Sequence, residues 1–256
     1  MDWALLVIGF TIGLISGVIS GAFGIGASSI KIVMLRVLLG VSGSVAIATS
    51  LPLSIPAAIS GTLVYQKHKL LKYKTIITCG VTGAIFSVLG ALATQHVPDD
   101  FLMLGLGGLL LLFALLIYKR NGVRKEDKNT QSLHEKAFYT ILIGAIAGFA
   151  SGFFGIGGGV IIVPLLARLR RLTYKQAIPC SLAIMLIYLI PASLTHLALG
   201  QVDVPLFIAM LAGSAIGAWV GAKNIVKMTN KEIRKWFAIT IAFFGGILLL
   251  HELGII

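Results

Sequence analysis

Apolar residues run through this chain in long blocks separated by short polar connections. The blocks lie near residues 3–22, 28–40, 44–65, 75–95, 101–118, 138–153, 159–167, 177–198, 204–222 and 236–251. A helix rises ~1.5 Å per residue, so about 20 residues cross a ~30 Å hydrocarbon layer. Two blocks are far shorter than the rest. Residues 28–40 reach only ~20 Å as a helix, and 159–167 reach less. Each short block directly follows a longer one, which predicts a hairpin in both places.

Both predicted turns carry the same glycine-rich motif. Residues 13–35 read GLISGVISGAFGIGASSIKIVML and residues 144–166 read GAIAGFASGFFGIGGGVIIVPLL. At a constant offset of 131, Gly13, Gly17, Ser20, Gly21, Phe23, Gly24, Ile25 and Gly26 fall on Gly144, Gly148, Ser151, Gly152, Phe154, Gly155, Ile156 and Gly157. The register continues downstream, where Ala46–Leu51 (AIATSL) meets Ala177–Leu182 (AIPCSL). Glycine-interrupted apolar segments in corresponding positions of two halves are the best sequence pointer to a transporter binding site.

Charge sets the predicted topology. Of 21 Lys and Arg, 19 fall in four clusters: 67–74, 119–136, 168–175 and 223–235. The connections 96–100 and 199–203 carry Asp99, Asp100 and Asp203 and no Lys or Arg. The positive-inside rule puts the four clusters in the cytoplasm. The stretch 138–167 then starts and ends on the cytoplasmic face and turns at Gly155–Gly159. By the same count 3–40 starts and ends outside and turns at Gly24–Gly26. The predicted class is an all-α polytopic membrane protein with two inverted-topology repeats. Each repeat is a re-entrant or broken helix hairpin plus three transmembrane helices. The repeats occupy 1–118 and 138–256, joined by a basic cytoplasmic linker at 119–137, with both termini outside. The Met1-Asp2-Trp3 start lacks the basic n-region of a signal peptide and is read as mature sequence.

Composition agrees with the membrane reading and excludes several functions. The chain is 57% hydrophobic and 12% charged, with a mean hydropathy of +0.99. The net charge of +12 is accounted for by the membrane rule, so no nucleic-acid partner is implied. All nine acids fall at segment ends or in loops, and the five histidines lie near the interfaces. No carboxylate lies mid-membrane to relay protons or hold a cation. No metal-ligand spacing occurs, and no cofactor is expected. The GIGGG run is not a dinucleotide or P-loop fingerprint, because Val160 stands where the former needs glycine and no Gly-Lys-Ser/Thr follows. Intramembrane catalysis lacks a base beside any serine, so an enzyme is not expected. Cys79 and Cys180 sit inside apolar segments, which disfavours a structural disulfide.

The candidate permeation residues cluster around the two turns. Gly24, Gly26, Gly155, Gly157, Gly158 and Gly159 interrupt what would otherwise be continuous helices, which costs helix stability. Gly9, Gly13, Gly17 and Gly21 instead repeat every four residues, as do Gly144, Gly148 and Gly152, and Gly213, Gly217 and Gly221. These make small-xxx-small packing faces. Non-helical backbone at membrane depth must be buried in protein or face a wet cavity. Two turns entering from opposite faces can meet near the midplane, with helix N-termini near Ser28 and Gly159 aiming free N–H groups inward, an arrangement suited to an anion. Ser29 lies in the same helix start. Thr49, Ser50, Cys180 and Ser181 occupy matching places in the two halves. They either line the path or bond a carbonyl one turn back, and Cys180 has the further reading of an ordinary buried thiol. Lys31 places a charge inside the outer half of the membrane, either attracting an anion or snorkelling outward. Pro52, Pro56, Pro164, Pro179 and Pro191 are expected to kink their spans.

At GAFGIGASSIKIVML, GFFGIGGGVIIVPLL and the paired AIATSL/AIPCSL, the chain resembles the TauE/SafE family of sulfite exporters over essentially its whole length. The resemblance implies a permease for a small sulfur-containing anion such as sulfite, or an organosulfonate such as sulfoacetate. It places the path at Ser20–Ser29, Thr49-Ser50, Ser151–Gly159 and Cys180-Ser181. Cys180 also resembles the intramembrane cysteines of related thiosulfate-uptake permeases, whose cysteine set is richer. The expected partners are therefore the anion and the lipid bilayer, and the oligomeric state is open. The alternatives are uptake of a thiosulfate-type anion and a non-transporting membrane assembly partner that uses the small-residue faces for subunit packing.

Overall fold

The computed structural model describes residues 3–25, 28–66, 70–119, 133–225 and 228–255. These residues form ten α-helices and no strand: α1 (Trp3–Phe23), α2 (Ser28–Leu39), α3 (Gly43–Gln66), α4 (Tyr73–Thr94), α5 (Asp99–Tyr118), α6 (Leu133–Phe154), α7 (Gly159–Leu169), α8 (Tyr174–Ala198), α9 (Val204–Ile225) and α10 (Asn230–Glu252). Eight are long and apolar enough to cross a membrane; α2 and α7 are short. The helix limits match the apolar blocks within a few residues, except that α6 and α10 start earlier, at Leu133 and Asn230 rather than near 138 and 236. At α10 the extra turn is polar, and the hydroxyl of Thr229 accepts from Glu232 N while the Glu232 carboxylate accepts from Thr229 N. This capping box starts the helix before its apolar run.

The helices pack in corresponding pairs. α1 lies along α9, and α6 lies along α4. Gly13 abuts Met210 and Ser214, Gly17 abuts Ser214 and Ala218, and Gly21 abuts Ala218, so residue numbers rise together and α1 and α9 run parallel. Gly144 abuts Cys79 and Thr82, Gly148 abuts Gly83 and Gly152 abuts Ser87 and Ala91, in the same parallel sense. In every one of these contacts a Cβ on the glycine would overlap the facing backbone, the close approach that small-residue faces permit. α5 and α10 run antiparallel: Gly107 meets Leu249 near one end of the pair, and Tyr118 shares a cleft with Arg234 and Lys235 at the other.

Exchanging the first five helices with the last five maps the larger interfaces onto one another. α4 against α8 matches α9 against α3, α2 against α3 matches α7 against α8, and α3 against α8 maps onto itself. α3 and α8 are the most enclosed of the long helices. The outward sides of α4, α5, α9 and α10 expose a belt of apolar side chains, including Ile85, Leu112, Leu115, Ile216 and Phe243. A belt of that kind faces lipid rather than water.

Candidate permeation site

The two glycine turns meet at the centre of the bundle. The backbone of Gly24 and Ile25 lies directly against Gly159, where no Cβ could fit, and Gly157 faces Ser28, with an added Cβ only 2.8 Å from Ser28 Oγ. Gly24, Gly155, Gly157 and Gly158 have φ between 66° and 76°, the left-handed region that glycine adopts without strain. The match between halves is local as well as global: Gly24 packs on Ile178, and Gly155 packs on Ile47, its counterpart at the same offset. Gly26 lies outside the described residues.

Both short helices start at this junction. α2 begins at Ser28 and α7 at Gly159, residues that correspond at the offset of 131. Gly158 caps α7, its carbonyl accepting from Ile161 N at 2.9 Å and Ile162 N at 2.7 Å. The first N–H groups of a helix have no acceptor within it, and together they form the positive end of the helix dipole.

The side chains around the turns are polar and sealed from solvent. Ser28, Ser29, Lys31, Ser50 and Ser181 are all buried. Ser28 Oγ is 2.5 Å from Ser54 Oγ, and Ser54 donates to the Ser50 carbonyl at 3.1 Å. Ser181 Oγ lies 2.9 Å from the Gly24 carbonyl and 2.8 Å from that of Ile178, so it fastens the first turn. Among the described residues its counterpart Ser50 has no hydrogen-bond partner, and neither has Ser29. Buried hydroxyls are nearly always bonded; Ser20 and Ser151, which correspond at the offset of 131, share this lack of a partner among the described residues.

Lys31 is fully buried, and its Nζ donates to the Leu53 carbonyl at 2.8 Å. Its ammonium is therefore directed into the protein rather than outward to the membrane surface. Among the described residues no carboxylate forms an ion pair with it. The other cation of α2, Arg36, is paired, donating to both oxygens of Glu252 at 2.6 and 3.0 Å. Burying a cation without a counter-ion is costly.

Thr49 and Cys180 do different work from Ser50 and Ser181. Thr49 Oγ1 accepts from Asp203 N at 3.0 Å, and Cys180 Sγ accepts from Lys72 N at 3.4 Å. The two bonds correspond at the offset of 131. Each ties a central helix to the connection preceding the opposite half's next span. The structure thus gathers Gly24, Ser28, Gly155, Gly157, Gly158, Gly159 and Ser181 around the meeting turns, with Ser29, Lys31 and Ser50 on the adjoining helices. Thr49 and Cys180 have their hydrogen bonds elsewhere.

A family model described as Sulfite exporter TauE/SafE matches residues 9–248, which include both turns and every described group at the junction. The chain belongs to the TauE/SafE family. Its relatives include the probable membrane transporter protein YdhB of Bacillus subtilis, 28% identical over 91% of this chain and 96% of that protein. YunE of the same organism is 26% identical over 96% of both chains. MJ0441 of Methanocaldococcus jannaschii is 26% identical over 93% of both. Both are named as probable membrane transporter proteins as well. With eight apolar spans and these relatives, the chain is a multi-pass membrane protein of a transporter family.

Within this TauE/SafE chain, several residues not singled out from sequence support the turns. Tyr188 is fully buried, and its hydroxyl donates to the Gly157 carbonyl at 2.5 Å while packing on Gly158. Tyr65 Oη donates to the Gly21 carbonyl at 2.9 Å, and His196 Nε2 lies 3.0 Å from the Gly152 carbonyl. Tyr65 and His196 correspond at the offset of 131, as do Gly21 and Gly152, so each half braces the end of its long hairpin arm in the same way. That signal was present in the repeat register. His196 is also enclosed rather than exposed at an interface, with Nδ1 2.8 Å from Gln201 Oε1.

Proposed function

We propose that this chain is a secondary transporter for a small sulfur-containing oxyanion, sulfite or an organosulfonate such as sulfoacetate. The anion is moved by alternating exposure of the junction between the two glycine hairpins. The observation that carries this reading is Lys31: a buried lysine amine with no carboxylate partner among the described residues, on a short helix whose start abuts the second turn. Backbone N–H groups, the Ser29 and Ser50 hydroxyls and this one cation can replace an oxyanion's hydration shell.

The helix directions support inverted halves. α1 runs with α9, α4 with α6, and α5 against α10. Sequential spans joined by short connections alternate in direction, so each helix of the first half runs opposite to its counterpart in the second. Inverted repeats with broken helices at their interface are the common plan of secondary transporters, and rocking one repeat against the other alternates access. The same directions gather residues 70–74, 119, 168–175 and 228–235 on one face and 40–42, 95–98 and 199–203 on the other. We assign the basic face to the cytoplasm. All junction side chains are buried, as an occluded state requires.

The test is flux into proteoliposomes containing the purified chain, with a panel of sulfite, sulfoacetate, thiosulfate and sulfate. Flux of sulfite or a sulfonate supports the proposal. Flux of thiosulfate alone replaces it with the uptake reading. No flux of any anion by demonstrably folded protein supports the assembly-partner reading.

A further inference from the structure

The ends of α5 and α10 form a second polar feature, far in sequence from the glycine turns. On the basic face a cleft of about 560 Å³ is lined by Tyr118 and Lys119 from α5 and by Lys231, Arg234 and Lys235 from α10. The acid nearest in sequence, Glu232, is engaged at the helix start, where its carboxylate accepts from Thr229 N and Oγ1. Arg234 Nη1 is buried and has no hydrogen-bond partner among the described residues. Four cations sharing one recess repel one another, so the cleft favours an anion on charge alone, and the orphaned guanidinium nitrogen points to where an oxygen would sit.

The cleft continues directly into an apolar groove. The groove shares Tyr118 and Ala238 with it and runs on between Leu111 and Leu115 of α5 and Ile239 and Ala242 of α10. From Tyr118 to Leu111 the groove descends ~10 Å along the helices. Tyr118, Leu115 and Ile239 are exposed, on the belt that faces lipid. A recess with cations at the end of the spans and an apolar groove leading from it has the two-part chemistry of a phospholipid. A free phosphate would use only the upper part, and a partner helix would not need the cations.

We propose that this cleft and groove bind one anionic phospholipid, its phosphate on Arg234 with Lys119, Lys231 and Lys235 around it, and one acyl chain along the groove. Basic pockets between spans at the cytoplasmic surface are recognised headgroup sites. The site is independent of the transport junction and stands whether or not that reading holds.

The experiment is native mass spectrometry of the full chain in detergent with equal amounts of phosphatidylglycerol and phosphatidylcholine. The wild type is expected to retain phosphatidylglycerol at least tenfold over phosphatidylcholine. Arg234→Gln with Lys235→Gln should reduce that retention about tenfold or more, since both cations sit at the surface where each adds to anionic lipid attraction. Ala242→Phe, which fills the groove and leaves the cations, should also weaken retention severalfold. All variants should keep wild-type thermal unfolding. Equal retention of the two lipids, or wild-type retention by the charge variant, overturns the proposal. So does full displacement of lipid by soluble glycerol phosphate, which would mark a phosphate site alone. Crosslinking of Leu115→Cys between two copies in preference to lipid binding overturns it in favour of a subunit interface.

Discussion

Gly158→Ala is the substitution for which the structure allows a worked magnitude. Gly158 has φ of 76° and caps α7. An L-residue in the left-handed region costs roughly 1–2 kcal/mol. A Cβ there would also overlap the Tyr188 hydroxyl and sit 2.9 Å from its ring Cζ. Tyr188 is fully buried and bonded to the Gly157 carbonyl, so its ring has little room to retreat. Forcing it aside adds about 1–3 kcal/mol of overpacking and weakens a buried hydrogen bond of about 1 kcal/mol. The expected total is roughly 3–6 kcal/mol. Gly200→Ala is the control, because Gly200 has φ of 70° but nothing within 4 Å of an added Cβ. It should cost only the backbone share, roughly 1–2 kcal/mol. Fluorescence-detected thermal unfolding in detergent measures both, and sulfite flux in proteoliposomes reads the consequence at the turn. Gly158→Ala should unfold well below Gly200→Ala and lose most flux. Equal unfolding temperatures for the two variants would refute the packing of Tyr188 against the turn.

The remaining predictions separate binding from support. Lys31→Met should unfold at or above the wild-type temperature, because it replaces a buried basic group lacking a counter-ion with an apolar one, yet weaken anion affinity about tenfold or more through one lost charged hydrogen bond; unchanged affinity would remove Lys31 from the site. Ser181→Ala should destabilise by about 1 kcal/mol, since it strips the Gly24 carbonyl of its donor. Ser50→Ala, removing a hydroxyl with no partner, should be neutral in thermal unfolding and lower only the affinity; equal unfolding losses for the two serines would contradict the asymmetry. Tyr65→Phe should cost about 1 kcal/mol by freeing the Gly21 carbonyl, again read by thermal unfolding.

The helices and turns were legible because the membrane imposes them locally. About 20 apolar residues predict a span, and a glycine pair inside such a block predicts a break, so α2 and α7 start at Ser28 and Gly159 as the motif indicates. The starts of α6 and α10 were not legible from hydropathy, because their first turns are polar and lie at the interface. The pairings of Thr49 with Asp203 and Cys180 with Lys72 were hidden for another reason: they depend on how α3 and α8 dock against the opposite half. A matching sequence position shows that two residues share an environment, and it does not say which neighbour each one bonds. Tyr188 left no trace in the repeat at all, since the corresponding residue is Ala57, and only the packed structure brings its hydroxyl to the second turn.

Alternating exposure of the junction is tested most directly by thiol accessibility at Ser29 and Ser50, which are buried and unpartnered. Ser29→Cys and Ser50→Cys would be placed singly in a Cys79→Ser, Cys180→Ser background and reconstituted in one orientation. A membrane-impermeant thiol reagent is then added from either face, with and without sulfite. The account predicts that both positions react slowly from each face, and that sulfite changes the two rates, since the bound anion lies beside them and favours the occluded state. Reaction from one face only, under conditions where flux continues, would contradict alternating access at this site.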